Sequence, residues 1–180
     1  MGTQEGSGLG PARPDTNSEK PASVAKAIVV ERLTHHDIPE ICSLYKRVWE
    51  PFKSELPLEI LRAWTPTPLE FTSSMEGVTY FAARRDAKMV GAIGCHVSDG
   101  SCRILHLAVD ADQRRQGVAS ALAHAAVEWA RHSNCHSVWA DALAKLDMAA
   151  SMFVQLGFRE CGLFHRHYYT EDVRLFEMIL

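Results

Sequence analysis

No stretch of the chain approaches eighteen consecutive apolar residues, which argues against a membrane-spanning helix. The N-terminus lacks the apolar core of a secretory signal, so export is not expected. Cysteine is sparse. Cys42, Cys95, Cys102, Cys135 and Cys161 are odd in number and form no Cys-x-x-Cys pair, and free thiols in a reducing, cytoplasmic compartment are the expectation. Charge of one sign is also missing: 19 Lys and Arg against 22 Asp and Glu leave a net −3, whereas a nucleic-acid-binding domain would be plainly basic. Neither the Gly-Lys-Ser/Thr end of a phosphate loop nor a Gly-x-Gly-x-x-Gly dinucleotide fingerprint occurs. No metal is expected, because His165 and His167 share a strand face by their spacing but have no evident third ligand. Membrane and nucleic-acid partners are likewise not expected.

The 180 residues are 47 % hydrophobic, enough to bury the core of one domain. Residues 1–25 are rich in Gly, Pro, Ser and Thr with almost no large apolar groups, a composition that predicts a disordered tail. Residues 26–180 read as a single domain. A strand is expected from Ile28 to Arg32, then a helix capped by Thr34 or Asp37 with Ile41, Leu44, Tyr45 and Val48 on one face. A short helix from about Pro57 to Trp64 ends at the Pro66 and Pro68 pair. Strands Val78 to Ala83 and Met89 to Val97 flank the polar turn Arg84 to Lys88, and a third strand runs from Cys102 to Val109. A helix from Gly117 to His132 follows, with Val118, Leu122, Ala125, Ala126 and Trp129 as its apolar stripe. The order closes with a strand from Ser137 to Ala142, a helix from about Asp147 to Leu156, and strands Arg159 to Tyr168 and Val173 to Leu180. A meander followed by alternating helices and strands predicts an α+β fold, mostly antiparallel with a parallel section.

The chemistry-bearing stretch is Leu107-Ala108-Val109 followed by Arg114-Arg115-Gln116-Gly117-Val118-Ala119-Ser120. A strand runs into a basic turn with one glycine, and the turn runs directly into an amphipathic helix. Unpaired amides at a helix start, with the positive end of its dipole, suit an anion. Gly117 and the small Ala119 would admit a pyrophosphate to the main chain, with Arg114 and Arg115 adding charge beside it. A solvated basic turn that merely joins strand to helix is the alternative.

This run resembles the acyl-CoA-binding motif of the GNAT N-acetyltransferase superfamily, Arg/Gln-x-x-Gly-x-Gly/Ala, with Arg114, Gly117 and Ala119 in the fixed places. Leu107-Ala108-Val109 looks like the strand whose backbone pairs with pantetheine in that family. Trp139 to Ala142 and Leu156-Gly157-Phe158 resemble its second CoA-side motif, and Tyr168 to Val173 with Met178 is similar to the last hairpin of the branch that acetylates N-terminal amines. The resemblance covers Ile28 to Leu180. It implies a GNAT fold: a mostly antiparallel sheet of about seven strands with a parallel splayed pair, flanked by about four helices. It further implies acetyl-CoA as co-substrate and attack on its thioester by a primary amine, either a small amine or a peptide N-terminus, in a ternary complex. A homodimer stays open.

The sequence also departs from that pattern. Where many members carry a tyrosine that protonates the leaving thiolate, this chain has Phe153, and the usual asparagine seven residues earlier is Leu146. No carboxylate occupies Ser101, Arg103 or Leu105, where many members place a glutamate. Two catalytic candidates remain. His106 titrates near neutral pH, but simple alternation sets it on the face opposite Arg103 and Leu105, as befits a structural histidine; a bulge would reverse that parity. Tyr168, with Tyr169, lies in the closing hairpin and either lines the acceptor mouth or packs across strands. Loss of the usual tyrosine and glutamate also fits an acyl-CoA sensor on the same scaffold that no longer turns over.

Overall fold

A computed structural model describes residues 27–180. The expected tail, 1–25, lies outside the described residues. Seven strands form one sheet: β1 (Val29–Arg32), β2 (Val78–Arg85), β3 (Lys88–Ser98), β4 (Ser101–Val109), β5 (Ser137–Leu143), β6 (Arg159–Tyr168) and β7 (Glu171–Ile179), in the order β1-β2-β3-β4-β5-β7-β6. Five helices accompany it: α1 (Ile38–Trp49), α2 (Leu58–Trp64), α3 (Pro68–Ser74), α4 (Val118–His132) and α5 (Asp147–Gln155). Among the described residues only β4 and β5 pair in parallel. This is the α+β architecture that the sequence implies, with one helix more than expected.

The additional helix is α3. Pro66 and Pro68 were expected only to end α2, but Pro68 starts the next helix, where its missing N–H costs nothing. Thr67 caps that start: its side chain accepts from the Glu70 N–H, while its own N–H donates to Glu70 Oε2 at 2.7 Å. The payload is Phe71, 1 % exposed, which lies against Tyr45 and Tyr80. The β2–β3 turn is also tighter than expected. Arg84 lies inside β2 and binds Glu31, Asp37 and Glu40, which leaves Asp86 and Ala87, both with positive φ, to make the turn.

Helices α4 and α5 cover one face, burying Val118, Leu122, Ala126, Ala150 and Phe153 against β3, β4, β5 and β7. Helices α1 and α3 cover the other, with Ile41, Leu44, Tyr45, Val48 and Phe71. Burying each large side chain of this kind contributes about 1.5–3 kcal/mol. Strand β3 is buried almost throughout because helices lie on both of its faces, whereas β6 is an exposed edge. Helix α2 packs Ile60 against Leu143 and Val173, beside the end of β5.

Candidate functional site

The parallel pair is short. Ser101–Ile104 faces Ser137–Ala140, and there the register ends, although β5 continues to Leu143 along β7 and β4 continues to Val109 along β3. From Leu105 onward β4 therefore presents one backbone edge with no strand beside it, and the two strands open as a V. Leu107 is half-buried, while Ala108 and Val109 are buried and hydrogen-bonded to β3.

Helix α4 starts at the mouth of this opening. Gly117 is its N-cap, with φ +84°, a left-handed conformation that glycine adopts without steric cost. No side chain caps the helix. Its first backbone bond runs from the Ala121 N–H to the Gly117 carbonyl at 2.9 Å, so the amides of Val118, Ala119 and Ser120 have no intrahelical acceptor. A Cβ on Gly117 would find nothing closer than Ile28 Cδ1 at 3.9 Å. The helix start is thus open rather than plugged.

Side chains around it hold the loop in shape. Asp110 is 5 % exposed and takes two bonds from the Arg47 guanidinium of α1, at 3.1 and 2.9 Å. Arg85 donates to Gln113 Oε1 at 2.7 Å and also to Gln116 Oε1, and Gln116 Nε2 donates to the Asp112 carbonyl. Arg114 turns back onto the end of β4, its Nε 3.3 Å from the Val109 carbonyl. Arg115, with φ +57°, and Ser120 are exposed. Of the polar residues singled out in this loop, Arg114 and Gln116 spend contacts on its architecture, and Arg115 and the main chain are left facing outward.

The position of His106 departs from simple alternation. The β3–β4 register shifts between Ala92 and Gly94, so His106 and Leu107 together oppose Ile93. His106 takes up this bulge with φ +52°. Beyond the shift, Ala108 joins the α1 side and Leu107 the α4 side, and His106 meets the rings of Tyr45 and Tyr80. The bulge therefore carries His106 onto the face of Arg103. Its Nδ1 lies 2.8 Å from the Tyr80 hydroxyl, and the ring keeps an accessible edge. Surrounding protein and the charge of Arg103 lower its pKa below 6.5, partly countered by Asp141. Both effects favour the uncharged imidazole. Burial pushes Tyr80 up to about 12.

Arg103 and Asp141 pair across the start of the V at 2.8 Å, with Arg103 over the Trp139 ring. Their charges reach both His106 and Tyr168. Tyr168 is half-buried, stacked on Trp64 at 6.3 Å and 18°, and Trp64 in turn packs on Trp49 at 4.4 Å. Burial raises the Tyr168 pKa, so the phenol keeps its proton. Trp49, Trp64 and the Arg103–Asp141 pair were not singled out in the sequence. Trp64 sat at a foreseen helix end, but nothing local marks it as a neighbour of Tyr168. Phe153 is buried between Phe158 and Phe176, centroids 5.5 and 5.3 Å away, and has no proton to give. His165 and His167 do not keep the alternation expected of them. The β6–β7 register breaks between Phe164 and Tyr168, where Arg166 has positive φ; His165 bonds Asp172 and His167 meets Phe164. No metal-binding cluster occurs among the described residues.

Comparison with known proteins agrees with this fold. Residues 38–158 match the Acetyltransferase (GNAT) family. Human N-acetyltransferase 8 is 30 % identical over 95 residues, covering 49 % of this chain and 42 % of that protein. Human N-acetyltransferase 8B is 30 % identical over 105 residues, covering 55 % and 46 %. The aligned part thus spans less than half the length of either relative. Among solved structures, PaiA N-acetyltransferase from Thermoplasma acidophilum in complex with coenzyme A superposes with a TM-score of 0.73 at 11 % identity, covering 86 % of this chain and 99 % of that one. The ribosomal-protein-S18-alanine N-acetyltransferase of Escherichia coli gives 0.69 at 20 % identity, with 85 % and 94 % covered.

Proposed function

Because the chain belongs to the Acetyltransferase (GNAT) family, we propose that it moves an acetyl group from acetyl-CoA to a primary amine, of a small molecule or a peptide N-terminus, by direct attack in a ternary complex. One observation carries this reading: an uncapped helix start opens beside a strand edge that has no partner.

The residues present fit the cofactor. Gly117 has no side chain to obstruct an approaching pyrophosphate, the amides of Val118, Ala119 and Ser120 point out of the helix start, and exposed Arg115 adds positive charge. The free edge of Leu107 to Val109 offers main-chain groups to the amides of pantetheine. Acetyl-CoA, when bound, supplies an acyl group activated as a thioester. The protein supplies the rest. Neutral His106 accepts the proton that an ammonium acceptor must lose before it can attack. Asp141 holds that ammonium near the ring, while burial, and then the charge of Arg103, favour the uncharged imidazole. Tyr168 retains its proton and donates a hydrogen bond at the mouth, beside the apolar wall of Trp49 and Trp64. Proximity of two held substrates supplies much of the acceleration.

A second reading, an acyl-CoA sensor without turnover, is favoured by Phe153, which leaves the usual acid's place to a core phenyl ring. Thiol release from acetyl-CoA separates the two when polyamines, arylamines, amino acids and short peptides are offered in turn. Turnover with any acceptor supports the enzyme, and His106→Ala should then lower kcat/KM by about 10²–10⁴-fold. Silence across the panel with acetyl-CoA binding intact favours the sensor.

A further inference from the structure

Resting on the acetyl-transfer reading, we propose that the acceptor is a free α-amino acid with an aromatic side chain, its ammonium held by Asp141, its carboxylate by Arg103 and its ring by Trp64 and Tyr168. The ring follows from a contrast between two kinds of aromatic cluster. Tyr45, Phe71 and Tyr80 on one face of the sheet, and Phe153, Phe158 and Phe176 on the other, are at most 4 % exposed and build the core. Phe52, Trp49, Trp64, Tyr168 and Tyr169 instead run as an unbroken chain of ring contacts, with neighbouring centroids 4.4 to 6.3 Å apart. Every one of these five keeps surface open to solvent. A contiguous aromatic surface left wet marks a place where a ligand docks. The wall is also fixed before any ligand arrives. Helix α2, which carries Trp64, is pinned by the fully buried Ile60 against Leu143 and Val173. Lys145 ties the segment before α2 to β7, through the Glu55 carbonyl at 3.1 Å and Glu171 at 2.8 Å. A flat ring can stack on a wall of this kind without first ordering it.

The charges follow from the Arg103–Asp141 pair, whose fields reach Tyr168 in that wall. The pair is not sealed, since its side chains are 40 % and 28 % exposed. The bonds within it run from Nε and Nη2 of Arg103 to one oxygen, Oδ1, of Asp141. Nη1 and Oδ2 take no part in them. An α-amino acid carries an ammonium and a carboxylate on one carbon, so laid against the pair it sets each charge beside its opposite. A polyamine would bring a second ammonium to the guanidinium. A peptide N-terminus would bring it only a neutral carbonyl. The bulge in β4 puts His106 on the face of Arg103, so an ammonium held by the pair lies on the imidazole's side of the sheet.

Calorimetry on the full chain with coenzyme A present compares four probes: L-phenylalanine, 2-phenylethylamine without the carboxylate, L-alanine without the ring, and spermidine. L-Phenylalanine should bind best, and loss of either its carboxylate or its ring should weaken binding about 10–100-fold. Arg103→Gln should bring L-phenylalanine down to the level of 2-phenylethylamine without weakening the latter. Trp64→Leu should bring it down to the level of L-alanine, and Tyr168→Leu serves where Trp64→Leu does not fold. A merely structural role would weaken all four probes alike, so the ratios decide. Absence of L-phenylalanine binding, equal affinity for L-alanine, tighter binding of spermidine or 2-phenylethylamine, or unchanged ratios in the folded variants overturn the proposal. Thiol release from acetyl-CoA tells its failure from that of the reading beneath it. L-Phenylalanine that binds as expected but is never acetylated would sink acetyl transfer and leave the binding result standing. Acetylation of other amines with no preference for L-phenylalanine would do the reverse.

Discussion

The start of α4 and the bulge in β4 both depend on a left-handed backbone, at Gly117 with φ +84° and at His106 with φ +52°. They reach it at different cost. Glycine enters that region freely, whereas a residue with a Cβ spends about 1–2 kcal/mol. On the proposed reading the loop lays main-chain amides open to the phosphates of acetyl-CoA. The bulge spends conformational energy to turn one imidazole onto the face of Arg103, Tyr45 and Tyr80. In the proposed site the helix start is the generic half and the bulge the individual half.

The largest effect is expected at the generic half. Gly117→Glu should abolish acetyl-CoA binding by calorimetry while circular dichroism still reports a folded chain, because it sets bulk and negative charge at an open helix start. Gly117→Ala separates the causes: it carries the same backbone strain, about 1–2 kcal/mol, but should keep measurable affinity. Unchanged affinity in Gly117→Glu removes the helix start from the site.

Asp110→Asn tests what holds that half in shape. It weakens two bonds from Arg47 to a buried carboxylate. With the Arg47 side chain 41 % exposed, urea unfolding should show a loss of about 1–2 kcal/mol, at the low end for hydrogen bonds to charged groups.

The individual half should reveal itself through pH. The folded pKa of His106 is lowered, first by burial and then by Arg103, below the ordinary 6.5. The unfolded chain therefore takes up this proton before the folded chain does. The stability linked to His106 is full above 6.5 and is lost as pH falls through the lower folded value. His106→Gln should flatten that part of the Tm-against-pH curve, and an equal slope in both proteins would show that the ring is not desolvated.

The smallest effect belongs to Tyr45. Its hydroxyl is buried with no hydrogen-bond partner among the described residues. Tyr45→Phe should leave thermal stability unchanged or raise it by up to about 1 kcal/mol, since an unsatisfied buried group costs rather than contributes. Marked destabilisation would mean that the phenol has an acceptor.

The same contrast decides what could be read in the chain. Gly117 was legible because strand, basic turn, glycine and amphipathic stripe follow one another locally, and the stripe Val118, Leu122 and Ala126 is buried as its periodicity requires. Thr67 and Glu70 also carried a local signal, a threonine three residues before a glutamate, which the flanking prolines obscured. No such signal marks the bulge. Cys102 to Val109 reads as one strand with polar residues at Arg103 and His106, and only its register against β3 shows which side His106 takes. Tyr80, Trp64 and Asp141 sit on three separate elements, and their proximity to His106 and Tyr168 is a product of tertiary packing.

Helix α1 spans the two halves. Arg47 on one side of it grips Asp110 at the head of the loop, and its neighbours Tyr45 and Trp49 reach the His106 ring and the wall beside Tyr168. A single rod thus gauges both ends of the proposed site. Any displacement of α1 that shifts Trp49 also pulls on the carboxylate that steadies the loop, so neither end of the proposed site is free to drift without the other.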